Sequence, residues 1–422
     1  MHLSLERWLS AYGHYVHSLP RSSEHAVIRN LGAGKLSIKN ERPISEPIHL
    51  AGVWEMDSIE QADSILGGRA DGFVYRRDGH PNAASLEGSL RRMHGADHCV
   101  VTAQGMSAIS AACLAVLKPG DEVLLGQPLY GKTSYLVKRE LSRWGVDNAD
   151  VDVCDIDSWK SALNPSVRMV VLETITNPRL SVPDLQSIIQ LVKSFSRDIV
   201  VMVDNTFATP VLCQPLSLGA DLVMESLSKF VCGHGDVMLG MLAGTDAIWA
   251  RIRSVVSAFG LASSPLDCWL TTRGLATLPV RMKHASYLAM QLATKLEHHA
   301  ALESIDYPGL TSSTSFHNAT KLLKGSYGNM VTIHLNAMPG KDVNSMAQLF
   351  IERVSGVVPF CPSLGDAKTT LSHPASTSHR SYSAEELAKI GVHAGTLRFS
   401  CGLEEPEEIV SVIEDALNSL IR

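Results

Sequence analysis

From about residue 95 the chain alternates short apolar, β-branched runs with segments of helical period. No other feature constrains its fold as much. The runs are Cys99–Thr102, Glu122–Leu125, Met169–Leu172, Ile199–Val203 and Leu222–Met224. Between two of them, Asp184–Phe195 places Leu185, Ile188, Ile189 and Val192 on one helical face, with Pro183 suited to its first turn. Strand–helix–strand alternation of this kind implies a mostly parallel sheet covered on both faces. After about residue 280 the pattern changes to helices with a few strands, closing on a helix around Glu405–Leu420. The acidic run Glu404-Glu405-Pro406-Glu407-Glu408 reads as a helix start, its charges complementing the dipole. Residues 1–60 lack the alternation. Leu5–Tyr15 suits a short helix, and the stretch reads as an arm that packs on something else, such as another subunit.

At 422 residues, 45% hydrophobic and 19% charged, the chain has room for two domains and a substantial core. A net charge of −6 argues against a nucleic-acid partner, which selects a basic face. None of the eight cysteines pairs with another as CxxC, so a zinc knuckle is not expected. They read as reduced, buried small hydrophobes of a cytoplasmic protein. Met1–Pro20 has no apolar core of signal-peptide length. The uncharged stretch Cys99–Leu117 is long enough to suggest a membrane span, but Gln104-Gly105 breaks it into a strand, a turn and a buried helix. No membrane association is expected.

In open α/β sheets, ligands sit beyond the C-terminal ends of the strands. Gln104-Gly105-Met106-Ser107 follows the first run, Glu173 and Asn177 the third, Asp204-Asn205-Thr206 the fourth, and Ser226-Leu227-Ser228-Lys229 the fifth. Together they are an anion site, carboxylates, an amide, hydroxyls and an amine. Gly105-Met106 at a helix start can offer backbone N–H groups to a phosphate, although most such starts bind nothing. Asp204 ends an apolar strand, where a carboxylate needs a compensating partner. A protonated pyridine nitrogen is one candidate, and capping of a following helix is the other. Lys229 in an apolar site would have a depressed pKa and be nucleophilic toward an aldehyde. It follows Asp204 by 25 residues, which puts the two on successive strand ends. Gly233-His234-Gly235-Asp236 reads as a turn rather than a metal site, since His234 has no second ligand at usable spacing. Gly32-Ala33-Gly34-Lys35 is not a phosphate loop, because Arg29 stands where a glycine is needed.

The ordered set of motifs is specific. It comprises Tyr75-Arg76-Arg77-Asp78-Gly79-His80-Pro81, Gln104-Gly105-Met106, Tyr130-Gly131-Lys132-Thr133, Glu173-Thr174 with Asn177-Pro178, Asp204-Asn205-Thr206-Phe207 and Ser226-Leu227-Ser228-Lys229-Phe230 with Gly233-His234. Downstream follow Arg273-Gly274-Leu275, Tyr307-Pro308-Gly309-Leu310, Ser363-Leu364-Gly365, His373-Pro374-Ala375 and Leu397-Arg398-Phe399-Ser400. From about Pro43 to its end the chain resembles the pyridoxal-phosphate enzymes of Cys/Met metabolism, the family of cystathionine γ-synthase, the cystathionine lyases and methionine γ-lyase.

The resemblance implies a fold-type I, transferase-like α/β architecture. An N-terminal arm (1–78) would contact a neighbouring subunit, a large domain (79–280) would bind the cofactor, and a smaller α+β domain (281–422) would follow. It implies pyridoxal 5′-phosphate held as a Schiff base by Lys229, with Asp204 on the ring nitrogen and Tyr130 stacked on the ring. Gly105, Met106, Thr206, Ser226 and Ser228 would serve the cofactor and its phosphate. Tyr75 and Arg77 would reach the phosphate of a neighbouring subunit in a homodimer or homotetramer. Asn177 would lie near the ring hydroxyl and the substrate carboxylate, which Arg398 and the Ser363 segment would clamp. No metal is implied.

The activity this implies is γ-elimination or γ-replacement on a γ-substituted amino acid such as cystathionine or an O-acylhomoserine. A β-eliminating C–S lyase, an aminotransferase and a non-catalytic cofactor-binding protein are the alternatives. The chain departs from the common pattern at several places. His80 stands where asparagine is frequent, Asn82 replaces a threonine, and Pro362 precedes Ser363. Thr174-Ile175-Thr176 replaces Thr-Pro-Ser. Lys132 stands where methionine γ-lyases have cysteine, which points away from methionine. Its cation either points to solvent or meets an acidic group of the substrate.

Overall fold

A computed structural model describes residues 43–245, 248–338, 340–380 and 382–422. The Leu5–Tyr15 helix, the Met1–Pro20 stretch and the Gly32–Lys35 segment lie outside the described residues, as does most of the expected arm. Ile48–Arg422 forms one compact unit.

Seven strands build the larger sheet: β1 (His98–Thr102), β2 (Glu122–Gln127), β3 (Asp147–Asp152), β4 (Val167–Glu173), β5 (Val200–Asp204), β6 (Leu222–Glu225) and β7 (Gly240–Gly244). Their order across the sheet is β1-β7-β6-β5-β4-β2-β3. Strands β6, β5, β4, β2 and β3 pair in parallel, and β7 runs antiparallel to both β1 and β6. The five apolar runs of the sequence are five of these strands. Both of the others fall where periodicity is weak. Strand β3, Asp-Asn-Ala-Asp-Val-Asp, lies at the sheet edge and buries only Val151, so its polar residues meet water. Strand β7 opens and closes on glycine and is central only because its neighbours cover it.

Both faces of the sheet are buried. On β1, Val100 joins the core lined by helix residues Ala108, Ile109 and Ala112, whereas Cys99 and Val101 join the opposite core with Leu86 and Leu90. The helices concerned are α1 (Pro81–His94) and α2 (Gly105–Val116). Cys99–Leu117 is therefore a strand, a turn and a helix, and among the described residues no helix is long and apolar enough to cross a membrane. Helix α3 (Leu185–Phe195) buries Leu185, Ile188, Ile189 and Val192, the expected face. Its start differs from expectation. Asp184 is the N-cap, accepting from the Ser187 N–H, and Pro183 precedes the cap instead of lying in the first turn.

His80 caps α1. Its Nδ1 accepts from the Ala83 N–H (3.2 Å) while Nε2 lies 3.2 Å from Ser263 Oγ. Burial lowers its pKa to about 4, which keeps the ring neutral and able to accept. A cap needs only a short acceptor, and here an imidazole supplies it.

Beyond α4 (Leu278–Leu296) comes a second, antiparallel sheet of β8 (Leu302–Asp306), β9 (Met330–Leu335), β10 (Thr370–Ser372) and β11 (Thr396–Ser400), in the order β10-β11-β9-β8. Helices α5 (Val343–Val354) and α6 (Pro406–Ile421) pack with α4 against it through Phe350, Ile413, Leu417 and Phe399. Helix α6 starts as its acidic residues suggest, with Glu405 at the N-cap and Glu407 and Glu408 in the first turn.

Candidate active site

A cavity of about 520 Å³ opens beyond the C-terminal ends of β4, β5 and β6. Strand register sets its floor, because Glu173 ends β4 directly opposite Asp204 at the end of β5. Glu173 holds the next shell in place: its two carboxylate oxygens accept from the Tyr130 N–H (2.9 Å) and the Asn177 N–H (2.8 Å). Asp204 accepts from the Thr206 N–H (2.9 Å), and Thr206 Oγ1 in turn accepts from the Ser226 N–H (2.9 Å). The loops after β5 and β6 are thereby pinned together. Ser228 Oγ both donates to the Leu239 carbonyl (3.1 Å) and accepts from the Leu239 N–H (2.9 Å).

Gly105 starts α2 against the β6 loop. A Cβ there would stand 3.0 Å from Ser226 Cβ and 3.1 Å from Met224 Cε, so glycine brings the helix start against the Ser226 side chain without crowding. Lys229 Nζ donates to Ser363 Oγ at 2.9 Å. Gly365 makes that contact possible: its φ is +85°, and a Cβ there would meet Phe230 N at 2.6 Å. From the second sheet, Arg398 of β11 is buried and donates through Nη1 to Asn177 Oδ1, while its Nε has no hydrogen-bond partner among the described residues.

Burial lowers the Lys229 pKa, and the Arg398 charge lowers it further. Arg398 itself is pushed down to about 10 by burial. The two carboxyls move the other way. Burial lifts Asp204 to about 6 against the pull of its hydrogen bonds to Thr206, with the Glu225 charge adding to the rise. Burial, then the Asp204 charge, holds Glu173 well above the usual range. Tyr130 is likewise raised, by burial first and by Asp204 second, so its hydroxyl keeps its proton at neutral pH.

These residues fit pyridoxal phosphate. Asp204 is a desolvated carboxyl with no cation paired to it among the described residues, as a pyridinium partner requires. Lys229 is an amine with a depressed pKa, as imine formation requires. The Gly105 start and the Ser226 and Ser228 hydroxyls leave a polar concavity for a phosphate.

The structure brings together Gly105, Met106, Tyr130, Lys132, Asn177, Asp204, Thr206, Ser226, Ser228, Lys229, Ser363 and Arg398 around this one cavity. It does not bring Tyr75 and Arg77 there. Those two stack on each other, with the guanidinium 5.0 Å from the ring centroid, and line a separate cavity with Arg253 and Ser257. Sequence reasoning gave Phe207 no role beyond its place in the Asp204 motif, and missed Met238, Ser376–Ser378 and Arg380 on the cavity wall. The His373-Pro374-Ala375 motif marked the last of these segments without saying where it folds. A Cβ on Gly131 would lie 2.5 Å from the Ser378 carbonyl, so this segment packs directly on the Tyr130–Lys132 turn. His234 sits in a turn between Gly233 (φ +79°) and Gly235 (φ +67°), with Nδ1 2.7 Å from the Cys232 carbonyl.

The family model of Cys/Met metabolism PLP-dependent enzymes matches residues 30–418. The chain is 33% identical over 391 residues to the L-methionine gamma-lyase of Treponema denticola, covering 92% of this chain and 95% of that one. It is also 33% identical over 377 residues to the cystathionine gamma-synthase of Mycobacterium bovis, covering 89% and 92%. Among solved structures it is similar to the cystathionine gamma synthase of Xanthomonas oryzae pv. oryzae in complex with aminoacrylate and cysteine. There the TM-score is 0.85 at 29% identity, over 96% of this chain and 99% of that one. The fold is shared with that protein, and in this chain it consists of a large mostly parallel sheet followed by a smaller antiparallel one. With Lys229 and Asp204 lining one cavity beside the glycine-started helix, the chain belongs to the Cys/Met-metabolism family of pyridoxal-phosphate-dependent enzymes.

Proposed function

We propose that this enzyme catalyses γ-elimination or γ-replacement on an amino acid with a γ-leaving group, such as cystathionine or an O-acylhomoserine. The placement of Lys229 carries the reading: its amine is desolvated, hydrogen-bonded to Ser363 and near the Arg398 charge. Bound pyridoxal phosphate supplies the electron sink for charge developing at Cα and Cβ. Asp204, its carboxylate desolvated, would pair with the ring nitrogen and favour its protonated form. Arg398, already oriented by Asn177, receives the substrate α-carboxylate with its remaining N–H groups. Lys229 Nζ, its pKa lowered, would take the proton from Cα, pass it on, and then take a proton from Cβ, whose electron pair expels the group on Cγ; this second removal is where γ-chemistry differs from β-elimination. The Tyr130 hydroxyl, still protonated at neutral pH, donates to the departing group.

Lys132 and Arg380 stand on the same cavity wall, from segments that pack on each other, and favour a γ-substituent bearing negative charge over the thioether of methionine. Tyr75 and Arg77, exposed and away from their own chain's Lys229, serve the phosphate of a second copy in a homodimer or homotetramer. The large domain of such a subunit spans 79–280, with 1–78 as the arm and 281–422 as the small domain. A cytoplasmic setting agrees with the unpaired cysteines, most of which are buried.

Purified protein and its Lys229→Ala variant, given γ- and β-substituted amino acids with and without a thiol, test the proposal. Keto acid with ammonia marks elimination, and a new thioether marks replacement. Turnover of β-substituted substrates alone would overturn the γ-assignment.

A further inference from the structure

Behind the cavity floor, on the far side of β5 and β6, an apolar core encloses a polar cluster. Glu225, the last residue of β6, and His94, the last residue of α1, both have side chains with 0% exposure. Glu225 Oε1 lies 3.4 Å from His94 Nε2. Asn205 Nδ2 donates to the same Glu225 oxygen (2.9 Å) and to the Cys213 carbonyl (3.1 Å). Thr174 Oγ1 donates to Asn205 Oδ1 (2.7 Å).

Each of three members is the chain neighbour of a residue on the cavity wall. Thr174 follows Glu173, Asn205 follows Asp204, and Glu225 precedes Ser226. Alternation along the strand sends the two of each pair to opposite sides. The cluster therefore ties the ends of β4, β5 and β6 together from behind, where no ligand reaches.

The charge balance sharpens the point. A fully buried carboxylate is stable only when paired or neutralised, and breaking a buried pair leaves the survivor uncompensated. Glu225 Oε2 and both ring nitrogens of His94 have no hydrogen-bond partner among the described residues. The two side chains thus meet by close approach at 3.4 Å and not through a saturated hydrogen-bond network. The groups that bear on Asp204 are Glu225 behind it, Glu173 and Tyr130 beside it, and Arg398 across the cavity.

We propose that His94 and Glu225 form a buried ion pair that sets the spacing of Asp204 and Ser226 and, through it, the seating of the cofactor. They are positioning residues, since neither faces the cavity. The inference rests on Asp204 and Ser226 as the ring and phosphate partners. It is independent of which γ-substituent leaves.

The test uses resolved and reconstituted enzyme carrying His94→Gln, Glu225→Gln or the reversed pair His94→Glu/Glu225→His. Pyridoxal-phosphate affinity, the pH midpoint of the bound cofactor's absorption and the melting temperature are measured for each. Each single variant is expected to bind cofactor about tenfold more weakly, the size of coupling seen within one hydrogen-bond network. Each should also shift the absorption midpoint, and the reversed pair should recover both. Folded single variants with wild-type affinity and midpoint overturn the proposal. So does a loss of melting temperature alone, which marks mere packing. If the reversed pair does not fold, the two single variants decide by the same criteria. Asp204→Asn is the control: if it leaves affinity and absorption unchanged, the ring-partner assignment fails, a result distinct from silence of the His94 and Glu225 variants.

Discussion

Lys229 and Ser363 are 134 residues apart in the chain, yet Nζ of the first donates to Oγ of the second at 2.9 Å. The contact joins the end of the β6 loop to a segment leading into the second sheet, and Gly365 allows it by letting the two backbones meet. Ser363→Ala removes one neutral acceptor from a cationic donor. It should lower kcat/KM by about threefold to tenfold, the worth of one such hydrogen bond, with the cofactor spectrum intact. Lys229→Ala should abolish turnover. Steady-state rates with parallel visible spectra separate the two effects.

Arg398 carries a different load. It is buried, oriented by Asn177, and its Nε is unpartnered among the described residues. Arg398→Ala should cost on the order of a hundredfold in kcat/KM, in the range for truncating one partner of a buried charge pair. The loss should fall mostly on KM, and Arg398→Lys should recover little because the bidentate fork is gone. Unchanged KM for both variants would remove Arg398 from the carboxylate site.

The cofactor-free protein should show a pH signature from Asp204. An unfolded aspartate titrates near 3.9, whereas Asp204 in the fold titrates at about 6. Between those values the folded state binds more protons than the unfolded, so this group's contribution to stability falls as pH rises from about 4 to about 6. Asp204→Asn should flatten that fall by on the order of 3 kcal/mol. Glu173, raised in the same direction, leaves a residual slope. Urea unfolding of the two cofactor-free proteins across this window measures the difference. Added pyridoxal phosphate should restore stability above pH 6 in the wild type alone.

Tyr75 and Arg77 sit away from their own chain's Lys229, and subunit mixing can test where they act. Arg77→Ala and Lys229→Ala homo-oligomers should each be inactive or nearly so. Mixing and reassembly should restore roughly a quarter of wild-type activity, since half the dimers are mixed and each holds one intact shared site. No recovery on mixing would place both residues outside a shared site.

Lys132 is exposed, with Nζ 5.3 Å from the Tyr135 ring centroid, so its pairing with a substrate anion is screened by water. Lys132→Met should therefore reduce kcat/KM for an O-succinyl substrate by only about threefold relative to its uncharged O-acetyl counterpart. Rising salt should shrink the ratio in the wild type. An unchanged ratio would assign Lys132 to solvent.

The sequence by itself determined the strand ends. A strand buried on both faces must be a continuous apolar run, and a polar residue ending such a run must have a reason to be there. Asp204 and Lys229 could therefore be picked out from Ile199–Val203 and Leu222–Met224, and the ordered motifs around them led to the family. Strands β3 and β7 were invisible to the same reasoning, because an edge strand can stay polar and a covered strand can be glycine-ended. Only the tertiary structure decided the rest. Register set Glu173 opposite Asp204, a glycine gap let Ser363 reach Lys229, and packing on Gly131 carried Arg380 to the cavity. His94 and Glu225, 131 residues apart in the chain, meet only because α1 packs behind the sheet. Local period records which face of an element is buried, whereas contacts across such separations depend on how whole elements pack.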